Sequence, residues 1–169
     1  TFSATENQTT VGTVTTTDAD GDTVTYSVSD SELSINSSSG VLTFVSAPDH
    51  ETKSTYTATV TASDGVNTTD QTVTINVTNV NDNTPVFTSS ATFSAAENQT
   101  SIGTVTATDA DGDTVTYSVS GSELSINSSS VVLTFVLAHD HETKSTYTAT
   151  VHDSDEVNTN DTNVKINVT

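Results

Sequence analysis

Tyr56-Thr57-Ala58-Thr59-Val60, followed beyond Asp64-Gly65 by Val73-Thr74-Ile75-Asn76-Val77, places an apolar side chain at every second position with Thr or Asn between. Successive side chains of a strand point to opposite faces, so this period of two predicts two half-buried strands and no helix. The β-branched residues within it suit a pleated surface. Outward from this pair the pattern recurs in Val11-Gly12-Thr13-Val14, in residues 24–28, in Leu33-Ser34-Ile35 and in Val41-Leu42-Thr43-Phe44. Turn signals separate the segments: Asp20-Gly21-Asp22, the stretch 36–40 ending in Gly40, and Asp64-Gly65.

The whole set then repeats. A shift of 91 residues lays Thr1–Thr78 on Thr92–Thr169 with 63 of 78 positions identical. The chain therefore divides into a first repeat (1–78), a linker (79–91) containing Asn79-Val80-Asn81-Asp82-Asn83-Thr84-Pro85, and a second repeat (92–169). About seven short strands in roughly 90 residues predict a Greek-key β-sandwich. The fold expected is all-β, two such sandwiches in tandem. Phe2, Tyr26, Phe44 and Tyr56 each recur at +91, as core residues would.

Composition narrows the chemistry. Thr and Ser fill over a third of the 169 residues, and apolar residues reach 31%, below the usual share of about 45–50%; thin sandwich cores need few large side chains. Against 22 Asp and Glu stand three Lys and no Arg, a net charge of −19. Phosphate binding needs a cationic surface, so nucleic acid is excluded as a direct partner and anionic membranes are disfavoured. Cysteine is absent, which removes disulfides, thiolate-bound zinc and a thiol nucleophile. A small secreted domain without disulfides needs another staple, and a metal ion is the natural substitute. No apolar run approaches the ~20 residues needed to span a bilayer, and no signal peptide is visible. The chain reads as a mature fragment or an excised piece, with the acid-rich, Cys-free character of bacterial surface and secreted proteins.

The acids recur in register: Glu6, Asp18/Asp20/Asp22, Asp49/Glu51 and Asp64, then Glu97, Asp109/Asp111/Asp113, Asp140/Glu142 and Asp155. Almost all lie at turns and strand ends. Since alternate turns lie at opposite ends of a sandwich, Glu6 and Asp49/Glu51 are expected at one pole and Asp18/Asp20 and Asp64 at the other. End-to-end stacking of the repeats would gather Glu6, Asp49, Glu51, Asp82, Asp109, Asp111 and Asp155 at one junction. Like charges ~4 Å apart repel by ~4 kcal/mol at an effective dielectric of ~20, so such a cluster calls for cations. Hard oxygen donors suit Ca²⁺, and seven negative charges match about three such ions. The string Asp18-Ala19-Asp20-Gly21-Asp22 is not an EF-hand loop: its Gly stands fourth rather than sixth, and Ser29 occupies the twelfth position.

These strings resemble the cadherin repeat, in the form found in bacterial cadherin-like proteins. Glu6-Asn7 and Glu97-Asn98 are similar to its early Glu-Asn motif, and Asp18-Ala19-Asp20 and Asp109-Ala110-Asp111 to its DxD motif. Asp49-His50-Glu51 and Asp140-His141-Glu142 resemble DRE, Ala62-Ser63-Asp64 resembles its A-x-D segment, and residues 79–85 resemble the DxNDNxP linker. The resemblance implies three Ca²⁺ ions at each junction between repeats, stiffening a rod. It assigns Glu6, Asp49 and Glu51 to the first two ions, with Asp82 bridging and Val80 offering its carbonyl. Asn81, Asn83 through its carbonyl, Asp109 and Asp155 go to the third ion, with Asp111 bridging the second and third. Asp18, Asp20 and Asp64, and likewise Glu97, Asp140 and Glu142, are left as half-sites of further junctions. Asn79 stands where the family has Asp, and His50 where it has Arg.

The second repeat has drifted at three telling places. Gly40 becomes Val131 at a turn expected to need positive φ, Gly65 becomes Glu156, and Ala62, expected to face inward, becomes Asp153. The second repeat is therefore expected to be the less stable. His139, His141 and His152 are read as drift at exposed turns. Asn-x-Ser/Thr strings abound in so Asn- and Thr-rich a chain, and no G-x-S-x-G elbow or other nucleophile arrangement is legible.

The reading that results is non-enzymatic: a Ca²⁺-stiffened pair of cadherin-like domains, secreted or on the cell surface, serving adhesion or extension. Its partners would be neighbouring repeats in a longer array, and another cell-surface protein or a polysaccharide. The alternative is a calcium-dependent carbohydrate-binding module, although sugar platforms use exposed aromatic rings and Trp is absent.

Overall fold

In the computed structural model, which describes residues 1–169, the alternation quoted above becomes a long hairpin. Strands β6 (Thr55–Ser63) and β7 (Thr68–Thr78) pair antiparallel from Thr55 opposite Asn76 to Ser63 opposite Thr68. Tyr56, Ala58 and Val60 from one strand and Val73, Ile75 and Val77 from the other are buried on a single face, as the period of two requires. The ladder outruns the apolar pattern, taking in Thr61–Ser63 and Thr68–Thr72, because backbone pairing needs no alternation once the hairpin is set.

The chain folds as two compact units, Thr1–Val80 and Asn81–Thr169. In the first, β1 (Phe2–Thr5) lies parallel to the end of β7, with Thr5 opposite Thr78, and β3 (Thr25–Val28) flanks β6. This gives the sheet order β1-β7-β6-β3. Strands β2 (Thr10–Thr13), β4 (Leu33–Ile35) and β5 (Val41–Phe44) form the facing sheet, in the order β2-β5-β4. Leu33, Leu42 and Phe44 meet the hairpin residues in one core. Seven strands in two sheets make the expected sandwich. The alternating segments did not single out β1, whose short Phe-Ser-Ala-Thr run gains its place from pairing with β7.

The second unit repeats this plan with β9 (Thr92–Ala95), β10 (Ser101–Thr104), β12 (Thr116–Val119), β13 (Leu124–Ile126), β14 (Val132–Phe135), β15 (Thr146–Ser154) and β16 (Thr159–Val168). The sheets are β12-β15-β16-β9 and β10-β14-β13, around Leu133, Val151, Val164 and Ile166. It adds a two-stranded pair absent from the first unit. The linker segment β8 (Val86–Phe87) lies antiparallel to β11 (Ala107–Thr108), and Phe87 packs against the core. With Lys165 N–H donating to Ala91 O at 2.8 Å, residues 81–91 dock on this unit throughout.

The two ends of β7 define the poles of the first unit. Its last residue sits beside Thr5 and hence beside Glu6, whereas its first follows the turn that carries Asp64. An 11-residue strand separates these ends by about 36 Å.

Candidate metal centres at the strand ends

Glu6 follows β1 and is 2% exposed. Its Oε2 accepts the His50 N–H at 2.8 Å and its Oε1 the Val80 N–H at 2.6 Å. Asn7 next to it adopts φ 60°, a left-handed conformation that Asn tolerates better than most residues, and donates its N–H to Pro48 O at 3.0 Å. The Asn of the Glu-Asn pair thus turns the backbone so that the Glu carboxylate points back into the pole. Oxygens of Glu6 and Glu51 lie within 4.8 Å of each other. Asp49 is held at the same pole by Thr52, whose hydroxyl (2.9 Å) and N–H (3.0 Å) keep its carboxyl below the usual range. The sequence expectation that Glu6 shares a pole with Asp49 and Glu51 is met within this unit. Val80, expected to offer its carbonyl, donates its N–H to Glu6 here.

At the far pole of the first unit, Asp18 and Asp64 line one shallow depression together with Asn67. Asp18 Oδ1 accepts the N–H groups of Asp20 (2.9 Å) and Asp22 (3.0 Å). Asp64 Oδ1 accepts those of Val66 and Asn67, which holds its carboxyl below the ordinary value.

The second unit carries the densest set. Oxygens of Asp109, Asp111 and Asp113 lie within 4.8 Å of one another, and so do oxygens of Asp82 and Asp111. Asp111 Oδ2 accepts the N–H groups of Asp82 (3.0 Å) and Asn83 (2.8 Å), which ties the linker to the DxD turn. Asp155 is 3% exposed; its Oδ1 accepts the N–H groups of Val157 (2.8 Å) and Asn158 (2.6 Å). Burial pushes its pKa up, but hydrogen bonds from Asn158, Val157 and Asn81 outweigh this and leave it below the ordinary value. Asp113 is pushed the other way, by desolvation and then by the charges of Asp109 and Asp111. At the opposite end, oxygens of Glu97, Asp140 and Glu142 also lie within 4.8 Å of one another, and Glu97 Oε2 accepts the His141 N–H at 3.2 Å.

A divalent cation fits this donor set. Asp109 Oδ2 is buried and has no hydrogen-bond partner, a costly state for a carboxylate oxygen that a cation would relieve. All the nearby side-chain donors are hard oxygens, the chemistry of Ca²⁺ and Mg²⁺ and not of thiophilic metals.

Two residues here lie outside the junction set expected from the sequence. Asp113 is the third carboxylate of its cluster, visible as the final acid of Asp-Ala-Asp-Gly-Asp. Asn158 is the hub of the linker contacts, and nothing in its local sequence signals that, because its partners lie 75 and 77 positions away.

Two readings of the second repeat are revised or extended. His139 is not at an exposed turn: it is half-buried between Phe135 and Tyr147, with ring centroids 4.4 Å from each, and its Nδ1 lies 2.7 Å from the Tyr147 hydroxyl. Ser118, His152 and Asp161 stand opposite one another on β12, β15 and β16, with His152 Nδ1 2.5 Å from Asp161 Oδ1. That alignment is invisible in chain order.

Seven-stranded sandwiches with carboxylates gathered at the strand ends define a class of tandem β-repeat. Residues 1–78 match the Cadherin domain family. That match covers the first repeat; the second, 63 of 78 residues identical to it, has the same sheet order. Among solved structures, mouse cadherin-23 EC22-24 is 24% identical with a TM-score of 0.83, over 99% of this chain and 62% of that one. Human protocadherin-24 EC1-2 is 19% identical with a TM-score of 0.84, over 99% of this chain and 92% of that one. The extracellular domain of protocadherin gamma B4 is 27% identical with a TM-score of 0.71, over 86% of this chain and 27% of that one. The chain thus spans under two thirds of the mouse cadherin-23 fragment. No curated protein sequence matches it. No helix is long and apolar enough to cross a membrane.

Proposed function

We propose that this chain is a calcium-binding pair of cadherin repeats, a non-enzymatic adhesive or extending segment of a larger secreted or cell-surface protein. Ca²⁺ would stiffen the junction between the repeats. The observation that carries this reading is Asp109 Oδ2, buried without a partner among the carboxylates of Asp111 and Asp113.

Glu6, Asp49, Glu51 and the Val80 carbonyl would serve the first-repeat side, and Asn81, Asp82, Asn83, Asp109, Asp111 and Asp155 the linker side. When bound, the ions supply the positive charge that offsets mutual repulsion of these acids, about three ions for the set. The chain itself supplies preorganisation. Backbone N–H groups fix both oxygens of Glu6 and one oxygen each of Asp111 and Asp155, so the carboxylates are oriented beforehand. Asp18, Asp20 and Asp64, and Glu97, Asp140 and Glu142, would complete comparable sites with neighbouring repeats.

The polysaccharide-binding reading lacks a tyrosine platform. Tyr56 and Tyr147 are buried, and Tyr26 and Tyr117 pack against the two cores. Retention on insoluble polysaccharide that disappears with chelator would favour that reading. Chelator-dependent broadening of the interatomic distance distribution in small-angle scattering would favour the calcium-stiffened one, and a distribution indifferent to calcium would count against it.

A further inference from the structure

One nitrogen draws three oxygens in the second unit. Asn158 Nδ2 lies 2.8 Å from Asn81 Oδ1, 3.0 Å from Asn83 O and 3.1 Å from Asp155 Oδ2. An amide group has only two hydrogens to donate, so three acceptors converging on it are arranged as they would be around a small positive centre. These are three of the five residues assigned above to the third ion. In the first repeat the same amide, on Asn67, bonds Asp64 Oδ2 at 3.1 Å and holds no linker.

We propose that the Asn158 side chain is the positioning group of the linker-side cation site. Its amide stands in for the ion, holds the linker oxygens together in the ion-free protein, and releases them when calcium binds. The inference rests on the calcium reading of Asn81, Asn83 and Asp155. It is separate from the turn that Asn158 also makes, since that turn uses its backbone N–H to Asp155 Oδ1 at 2.6 Å and survives loss of the side chain. Asn160 acts alongside it, its Nδ2 donating to Pro85 O at 3.0 Å, so the linker stays docked further along while residues 81–83 rest on Asn158 together with Asp111.

Hydrogen exchange followed by NMR on the full chain, in chelator and in calcium, tests this. In chelator, Asn158→Ala and Asn158→Ser should speed exchange of the Asp82 and Asn83 amides about tenfold. Amides of the core strand at 164–168 should keep wild-type rates, and Asn67→Ala should change neither set. Calcium should restore protection at residues 82 and 83 in both Asn158 variants and should shift the Asn158 side-chain amide signal in the wild type. Unchanged exchange at residues 82 and 83 in the variants overturns the proposal. So does equal loss at residues 164–168 in both variants, which would make Asn158 a general folding residue, or an Asn158 signal that calcium leaves in place while neighbouring signals move. If calcium changes no exchange rate even in the wild type, the calcium reading fails, and the chelator arm still decides whether Asn158 holds the linker.

Discussion

Val131 carries the left-handed backbone that Gly40 carries 91 positions earlier, with φ 51° against 69°. Each closes the same turn, accepting the N–H of Val105 at 3.1 Å and of Val14 at 2.9 Å respectively. A Cβ built on Gly40 would stand 2.1 Å from Val14 O, so the second repeat accommodates Val only by opening this contact and bearing a strained φ. For a β-branched residue such a conformation costs about 1–2 kcal/mol. Val131→Gly should raise the unfolding free energy of the second repeat by that amount in denaturant titrations, while Gly40→Val should lower that of the first by more. Glu156 at φ 84°, in place of Gly65, should respond to Glu156→Gly in the same direction. Together they make the second repeat the weaker one, expected to melt first.

Asp153 replaces Ala62, is 1% exposed, and leaves both carboxylate oxygens without a partner. Burial pushes its pKa up. Between the unfolded and the native value the native second repeat holds a proton that its unfolded form has lost, so stability falls as pH rises through the native-state value. Asp153→Ala should stabilise the repeat by about 2 kcal/mol at neutral pH and flatten this dependence in melts across the acid range. An unchanged pH profile would contradict the assignment.

Removing the Glu6 side chain leaves the N–H groups of His50 and Val80 unpaired at a buried point. Glu6→Ala should destabilise the first repeat by about 2–3 kcal/mol, and it should do so in chelator as well as in calcium. A loss seen only with calcium present would mean that Glu6 is a ligand without a structural part.

Asp49, Asp64 and Asp155 all sit below the ordinary carboxylate value because of the hydrogen bonds they accept. For these the native state binds fewer protons than the unfolded one, so their stabilisation is present above the unfolded value and fades as pH falls through the native one. In calcium-free buffer, Asp155→Asn should reduce the acid-side loss of stability, measured by fluorescence or circular dichroism melts.

Much of this was legible in the chain because repetition does the work of comparison. Alternation at residues 56–60 and 73–77 marked the central hairpin, and recurrence of Glu6, Asp18 and Asp49 at +91 marked the poles. Gly40, Gly65 and Ala62 were readable as positions where the second repeat had lost something. What stayed hidden was long-range placement. β8 exists because Val86–Phe87 finds Ala107–Thr108, Asn158 matters because the linker folds back onto it, and His139 is half-buried because Phe135 and Tyr147 make room for it. None of these has a local sequence signature.

The most direct check on the central claim is calorimetric titration of the chelator-washed chain with calcium, repeated on Asp111→Ala. Saturable binding of about three ions and a rise in melting temperature with calcium are expected, with most of both lost in the variant. Absence of binding heat and of any melting shift at millimolar calcium would contradict it.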